Sequence, residues 1–596
     1  QMKPYFSYLT PLLLIAWGVS LISLYQGAHL IKAASAGIAS LNPMSFGPQK
    51  NVPVPGLSAQ EHLVLYGGSS KSNPEGRWKA LHLSEPQNPS YYRKHLTEVD
   101  DIPEDFDEVR QRIDPDNGWF LIWEAGKLSK ECVSKDSTRT RSKKEKEEKK
   151  APHFIIEDPE VLEKIIQKLE RAVSLPRFDN YTNSLTNEQM SLLPEAKDIV
   201  ANYRNLTILA TMDSSVLEWK YNTDAIRAAL QEIQTRDEFN RLEKLALNLE
   251  KKHFSQVTSL IDGLISQALM AAHAGALYEA SERLGLKEKA SFYKDRKELF
   301  AARNEARKQR RKSNEHEEFN QLLLNHGSML MNIATPAVIM VTENPPTLTK
   351  EQLRPGQRAE RALFTRMITP LMFLIFSLLS LVIFFHRRGR ENKPSFRPTL
   401  RLLLLGSLLP FVALVLFRYF LSFGMLDFGG RLLIFANYFL PDLASYFILL
   451  IVPLSLLRRD AKQKVPFYKN CSLLGFALLT LGFSSVMMHA PPKAVFPGGV
   501  VFVSLTAIWL VVFAIWKAFK KKPDPDYFAR LAQLAPTYLL SATLIGLSSI
   551  GLAFEERYWF AQADIERPTD YHITLLEEQT TEALKEEIRQ LAEFDE

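Results

Sequence analysis

The sequence predicts an all-α protein: a polytopic membrane protein of about seven helical spans that carries a large helical domain outside the bilayer. Three observations predict it. Apolar stretches at about 9–31, 367–385, 402–424, 432–457, 471–489, 499–516 and 534–554 each approach the ~20 residues that cross a hydrocarbon core as helix. Lys and Arg gather in every second connection between them. The long polar block between the first two stretches repeats its apolar residues at three-to-four spacing, with almost no two-residue alternation.

The charge pattern orients the chain. The loop after the second stretch holds Arg387, Arg388, Arg390, Lys393, Arg397 and Arg401. The loop after the fourth holds Arg458, Arg459, Lys462, Lys464 and Lys469, and the loop after the sixth Lys517, Lys520, Lys521, Lys522 and Arg530. Short loops rich in Lys and Arg stay cytoplasmic. Parity then puts the N-terminus inside, and residues 33–366 and the tail after Phe554 outside. Lys3 followed by Leu9–Leu24, with Ala33–Ala36 beyond, also fits a cleaved signal peptide. The apolar run continues to Ile31, which favours a retained anchor.

Composition narrows the class. The formal net charge of +6 is concentrated in the three inner loops, so it reports topology and anionic lipid. Nucleic-acid binding would need those charges on one folded face with aromatic residues between them. The cysteines are Cys132, outside, and Cys471, at the inner end of the fifth stretch, so they cannot pair within one chain. A large outer domain without a disulfide fits a bacterial envelope better than a secreted eukaryotic protein.

The elements follow in order. Residues 1–32 form the anchor, and 33–132 the first part of the outer domain, which leaves the membrane through a Pro/Gly/Ser-rich stretch. Its clearest unit is Asp114-Pro115-Asp116-Asn117-Gly118-Trp119, where Asp or Asn just before an apolar run satisfies free amides at a helix start. Residues 133–152 form a charged, low-complexity linker. Residues 153–360 are helical, with Val161, Leu162, Ile165, Ile166 and Leu169 on one face and Leu242, Leu245, Leu249 and Phe254 on another. Gly263, Ala268, Ala271, Ala272 and Ala274 place small residues on a long helix. Hairpins of this length build either an α-solenoid-like stack or one irregular helical domain. The charged run 298–318 reads as an exposed helix or stalk. Residues 361–554 form the six-span membrane domain, and 555–596 an acidic tail whose Leu575–Phe594 segment is amphipathic.

The Asp114–Trp119 turn, the run Leu260–Leu269 and the stretch Arg358–Arg366 (Arg-Ala-Glu-Arg-Ala-Leu-Phe-Thr-Arg) resemble envelope proteins of planctomycete and verrucomicrobial type. In those, helical-hairpin outer domains hang from membrane anchors. The likeness covers about half of the chain and implies location and architecture, with no activity.

Ionisable residues inside spans are costly and so are the first candidates for function. Asp442 falls near the middle of the fourth stretch, and Arg418 about six residues from the outer end of the third. At 1.5 Å per residue their depths differ by roughly 6 Å, within reach of an Arg side chain. Tyr438, Asp442, Ser445 and Tyr446 share one helical face, with Asn437 alongside. Two readings stand: a proton or substrate path lined by this stripe, or an Arg418–Asp442 pair that holds two helices in register, the latter being favoured. His489 beside Pro491-Pro492 and His316 in a charge run lack further ligands at metal-binding spacing. His326-Gly327-Ser328 lacks the flanking glycines of a nucleophile elbow, and Gly67–Ser70 lacks the Lys of a phosphate loop.

The expected role is therefore non-enzymatic and without cofactor. The outer domain would act as a scaffold, assembly or ligand-sensing module in the bacterial inner membrane. The expected partners are membrane lipids, other envelope proteins, and a cytoplasmic protein at the basic inner loops, with no nucleic acid. The alternative is a permease subunit driven by a separate ATPase, with a polar path near Asp442.

Overall fold

The computed structural model describes residues 56–66, 75–135, 153–199, 216–310, 312–328, 341–388 except 344, 400–422, and 532–592 except 568, 570, 571 and 573. It adds isolated positions at 15, 18, 22, 201, 202, 205, 331, 446, 448–450, 452–454, 456 and 457. Helix accounts for 79% of the fold and strand for 3%, so the expected all-α class holds.

The helical domain expected to lie outside the membrane, called the outer domain for that expectation, opens with α1 (Ala59–Tyr66), α2 (Glu75–Ser84), α3 (Pro89–Glu98), α4 (Phe106–Ile113) and α5 (Trp119–Cys132). Helix α5 is its centre. Trp119 through Gly126 are all buried, around the full circumference of the helix. A helix apolar on every side must be covered on every side, and α6 (Pro159–Ser174) and α8 (Val216–Glu232) supply two of those walls. The Asp114–Trp119 turn behaves as its sequence predicts. The Asn117 side chain accepts from the Trp119 amide at 3.0 Å and the Asp179 amide at 3.1 Å, and donates to the Asp179 carbonyl at 2.8 Å. Helix α7 (Thr182–Ser191) lies against α3, where Val64, Trp78, Leu81, Tyr91 and Leu185 form a satellite core.

Strand-like pattern is nearly absent from the sequence, yet β1 (Val133–Lys135) and β2 (Phe154–Ile156) pair antiparallel, Val133 opposite Ile156. The expected linker 133–152 therefore begins with a strand. Val133 and Phe154 are buried, which ties the ends of the charged insertion to the core.

Helices α9 (Arg236–Phe254), α10 (Leu260–Arg283), α11 (Lys287–Arg310) and α12 (Asn314–His326) follow. Thr235 and Glu238 close a reciprocal capping box at α9, and Ser259 and Ser313 cap α10 and α12; each such cap satisfies amides that the helix leaves free. Gly285, at φ +70°, lets α10 end in a left-handed turn, with the Leu286 amide returning to the Ser281 carbonyl at 2.9 Å. One continuous core runs from Tyr92 to Tyr293 and draws on α3–α6 and α8–α11. In a solenoid each hairpin contacts only its neighbours; here helices distant in sequence share one centre, so the irregular domain is the form adopted.

A second core joins the outer domain to the chain's end. Leu260, Met270 and Ala274 of α10 and Phe300 of α11 pack with Leu353 of α13 (Lys350–Arg388). Leu576, Leu584, Ile588 and Leu591 of the C-terminal helix α17 (Leu575–Ala592) complete it. Gly263 admits α17 closely, since a Cβ there would lie 2.5 Å from Leu584 Cδ2. The run 298–318, expected as an exposed helix or stalk, is helical and mostly exposed, but one basic face of it lies on this tail. Arg303 reaches the Glu587 carbonyl at 3.2 Å, Arg307 lies 3.7 Å from the Glu587 carboxylate, and Arg310 donates to the Thr342 carbonyl at 2.6 Å.

Helix α13 is 39 residues long, about 58 Å at 1.5 Å per residue. Its first turns belong to the second core. Ile368, Met372, Phe373 and Phe376 belong to a third core, with Leu402, Leu449, Leu457 and residues of α16 (Leu534–Phe560). Helix α16 lies along α13 over most of its length. Against α16 pack α14 (Leu400–Leu403) and a π-helical turn at Leu404–Leu408, which continues into α15 (Leu409–Ser422). Ser407 in the π turn donates to the Thr537 carbonyl at 2.8 Å, and Ser380 to the Ala535 carbonyl at 2.7 Å.

Among the described residues, three helices are long and apolar enough to cross a membrane: Leu260–Arg283, Lys350–Phe384 and Leu534–Phe560, with Leu400–Leu416 shorter. Lys350–Phe384 and Leu534–Phe560 contain the expected second and seventh spans. Leu260–Arg283 was expected in the outer domain, and it packs there on α9, α11 and α17. The expected spans at 471–489 and 499–516 lie outside the described residues, as do most of the first and fourth.

Candidate functional site at the foot of the outer domain

Where α13 leaves the outer domain, polar side chains from four segments converge. Arg366 stands one residue before the apolar stretch of α13, and Glu555 and Glu556 stand just after that of α16. Arg366 Nη1 meets Glu556 Oε2 at 3.0 Å, with the side chains 6% and 0% exposed. Breaking such a pair by removing one partner leaves a buried charge, a penalty of about 3–5 kcal/mol. Arg418 of α15 places Nε 3.4 Å from Glu555 Oε2 and donates through Nη1 to the Thr365 hydroxyl. One turn further along α13, the Thr369 hydroxyl lies 3.3 Å from that of Tyr446. Thr365 and Thr369 also donate to the Arg361 and Thr365 carbonyls, at 3.0 and 2.7 Å. Pro370 follows and lacks the amide that would bond to the Arg366 carbonyl.

Of the stripe singled out in the sequence, Arg418 and Tyr446 thus meet on one face of α13. Asn437, Tyr438, Asp442 and Ser445 lie outside the described residues. The described acidic partner of Arg418 is Glu555, on the last span. Sequence reasoning passed over Thr365, Arg366, Thr369, Glu555 and Glu556 because it treated them as flanks of two separate spans. The available signal was parity: an inward and an outward span bring the start of one and the end of the other to the same face.

A second layer lies toward the outer domain. The Arg358 guanidinium sits 4.4 Å from the centre of the Trp559 ring. Beyond Phe560 the chain makes a 3-10 turn at Asp564–Glu566, and Glu566 turns inward against α13. A Cβ at Gly356 would fall 2.0 Å from Glu566 Oε1, so the carboxyl occupies space that only glycine leaves. Burial, and then the like charge of Glu360 one turn along α13, push the Glu566 carboxyl up to about 8, while Ser328 donates to its charged form. Asn202 reaches the Glu566 carbonyl at 3.5 Å, and Asp198 and Ile199 lie beside Glu556.

Within the outer domain, Glu250, His273 and Arg296 form a buried network. Glu250 Oε1 meets His273 Nδ1 at 2.9 Å, and Oε2 accepts from Arg296 Nη2 at 2.8 Å. Burial opposes ionisation of Glu250, but the Arg296 charge and the His273 contact outweigh it and hold the carboxyl below its ordinary range. His253 packs edge-on to Trp219 at 4.4 Å, and burial lowers its pKa to about 3, so it is neutral. These groups bind α9, α10 and α11 together. His316 contacts Asn320 within α12 at 3.0 Å, and His489 lies outside the described residues. Among the described residues no three His, Cys, Asp or Glu side chains are placed to share a metal ion.

The chain matches no known protein family, curated protein or solved structure. The ion pairs of the junction tie together α13, α15 and α16, two of which are long and apolar enough to cross a membrane.

Proposed function

We propose that this protein is a non-enzymatic, multi-pass protein of the bacterial inner membrane whose outer helical domain is a scaffold, assembly or ligand-sensing module. On this reading it has seven spans, a cytoplasmic N-terminus, and its large domain and C-terminus outside. The observation that carries it is the continuity of α13 and α16. Each passes from the membrane core to the foot of the outer domain, and the tail that follows α16 completes that domain's second core. A load or ligand on the domain would therefore act directly on two membrane helices. The packing of α17 on α10 also favours one face of the bilayer for both, as parity requires. Lipids, other envelope proteins bound through the outer domain, and a cytoplasmic partner at the basic loops are the proposed contacts.

Affinity purification of the intact protein in a mild detergent tests the reading. The expected result is an envelope protein that remains bound, and is lost when the outer domain is blocked by an antibody fragment. The permease reading would replace it if a cytoplasmic ATPase co-purified and Asp442→Asn abolished substrate flux while leaving the protein folded.

A further inference from the structure

The Glu566–Gly356 contact has the geometry of a latch. Glu566 belongs to the short turn that joins α16 to the tail, and its carboxyl reaches into α13 over Gly356. Oε1 has no hydrogen-bond partner, and the residue is 5% exposed. Glu360, 1% exposed, lies on the same face of α13, four residues on. A carboxyl taken out of water without a cation beside it is costly to ionise, so one buried in this way retains its proton above the ordinary carboxyl range.

We propose that a proton held on the buried Glu566 carboxyl, against Gly356, latches the C-terminal tail to α13, and that the attachment loosens as the pH on that face of the membrane rises. This goes beyond the scaffold reading and does not depend on it. The surroundings are consistent. From α13 the charged group acting on Glu566 is Glu360, and from the end of α12 the polar group is Ser328. From residues 201–202 the Asn202 amide meets its carbonyl. On its own segment Arg567 turns away to the Phe560 and Ala561 carbonyls and lies 3.6 Å from Asp564. Farther along the tail, burial lowers the pKa of His572.

The sign follows from linkage. The docked state holds a proton that the undocked state releases to solvent above its ordinary carboxyl range near 4.5, and keeps it until about 8. Attachment is therefore complete in acid, weakens by up to about tenfold per pH unit across that window, and levels off above it.

Hydrogen exchange of the intact protein in nanodiscs, corrected for intrinsic rates, reads the opening of residues 564–592 between pH 6 and pH 9. Protection of this segment is expected to fall about tenfold per unit up to about pH 8, while that of α5 stays constant. Glu566→Gln, which keeps the shape and cannot ionise, is expected to hold constant protection throughout. Glu360→Gln, which removes the like charge and leaves Glu566 buried, is expected to lower the pH at which the fall ends, and serves if Glu566→Gln does not fold. Protection independent of pH in the parent protein, or a pH profile identical to the parent's in a folded variant, would overturn the proposal.

Discussion

Gly118 and Gly263 show how much a single missing side chain can decide. A Cβ at 118 would fall 2.2 Å from the Ala172 carbonyl oxygen, and backbone at the end of α6 cannot step aside without disturbing the turn that starts α5. Gly118→Ala is expected to destabilise the protein by about 1–3 kcal/mol, as overpacking does. At Gly263 the nearest atom is the end of Leu584, a side chain that can rotate. Gly263→Ala should be milder, since alanine also recovers up to about 1 kcal/mol of helix propensity. Thermal unfolding of both variants in one detergent checks the order; an unfolding midpoint for Gly118→Ala at or above that of Gly263→Ala would contradict it. Neither glycine advertises this in the sequence, because the atoms that forbid a side chain are 54 and 321 residues away.

At the scale of elements, helix boundaries are largely readable. Asp158 before Pro159 accepts from the Glu160 and Val161 amides, and Thr235 with Glu238 closes a capping box. Both are local chemistry within four residues. The tail is different. Its Leu576, Leu584, Ile588 and Leu591 form an amphipathic stripe that any helix wheel reveals, while the surface it covers is known only from packing. Removing residues 575–596 is expected to uncover the Gly263 face of α10 and strip Arg303 and Arg307 of Glu587. Proteolysis within 258–283 should then accelerate, by about tenfold or more if the lost packing amounts to a few kcal/mol. Cleavage at the parent rate would mean that α17 adds nothing to the second core. The π turn at Leu404–Leu408 belongs to this scale too: Ser407 finds its partners on α16, and no periodicity in 402–424 signals the extra residue in that turn.

For the molecule as a whole, two helices long and apolar enough to cross a membrane also enter the large helical domain, and the last described helix, α17, returns to that domain. A reporter fused after Glu596 and protease added to intact cells should therefore find the tail on the same face as residues 153–199. Opposite faces would separate α17 from α10 and break the architecture described here. The junction of Arg366 with Glu556 and of Arg418 with Glu555 lies where these parts meet. Arg418 and Tyr446 were legible as candidates because charge and polarity are rare in apolar runs. Their partners were not, because Glu555, Thr365 and Thr369 look unremarkable at the edge of a span.

The sequence by itself determined that the chain is helical, that it contains helices able to cross a bilayer, and where many of those helices begin. These follow from rules that act along one dimension: a hydrocarbon slab demands a fixed length of apolar helix, and caps act within a turn. Tertiary structure alone decided that the outer domain has one shared core and that a basic run holds an acidic tail. It also decided that Glu566 lies against Gly356. Those are choices of neighbour among helices far apart in sequence, made by shape and burial, and spacing along the chain does not encode them.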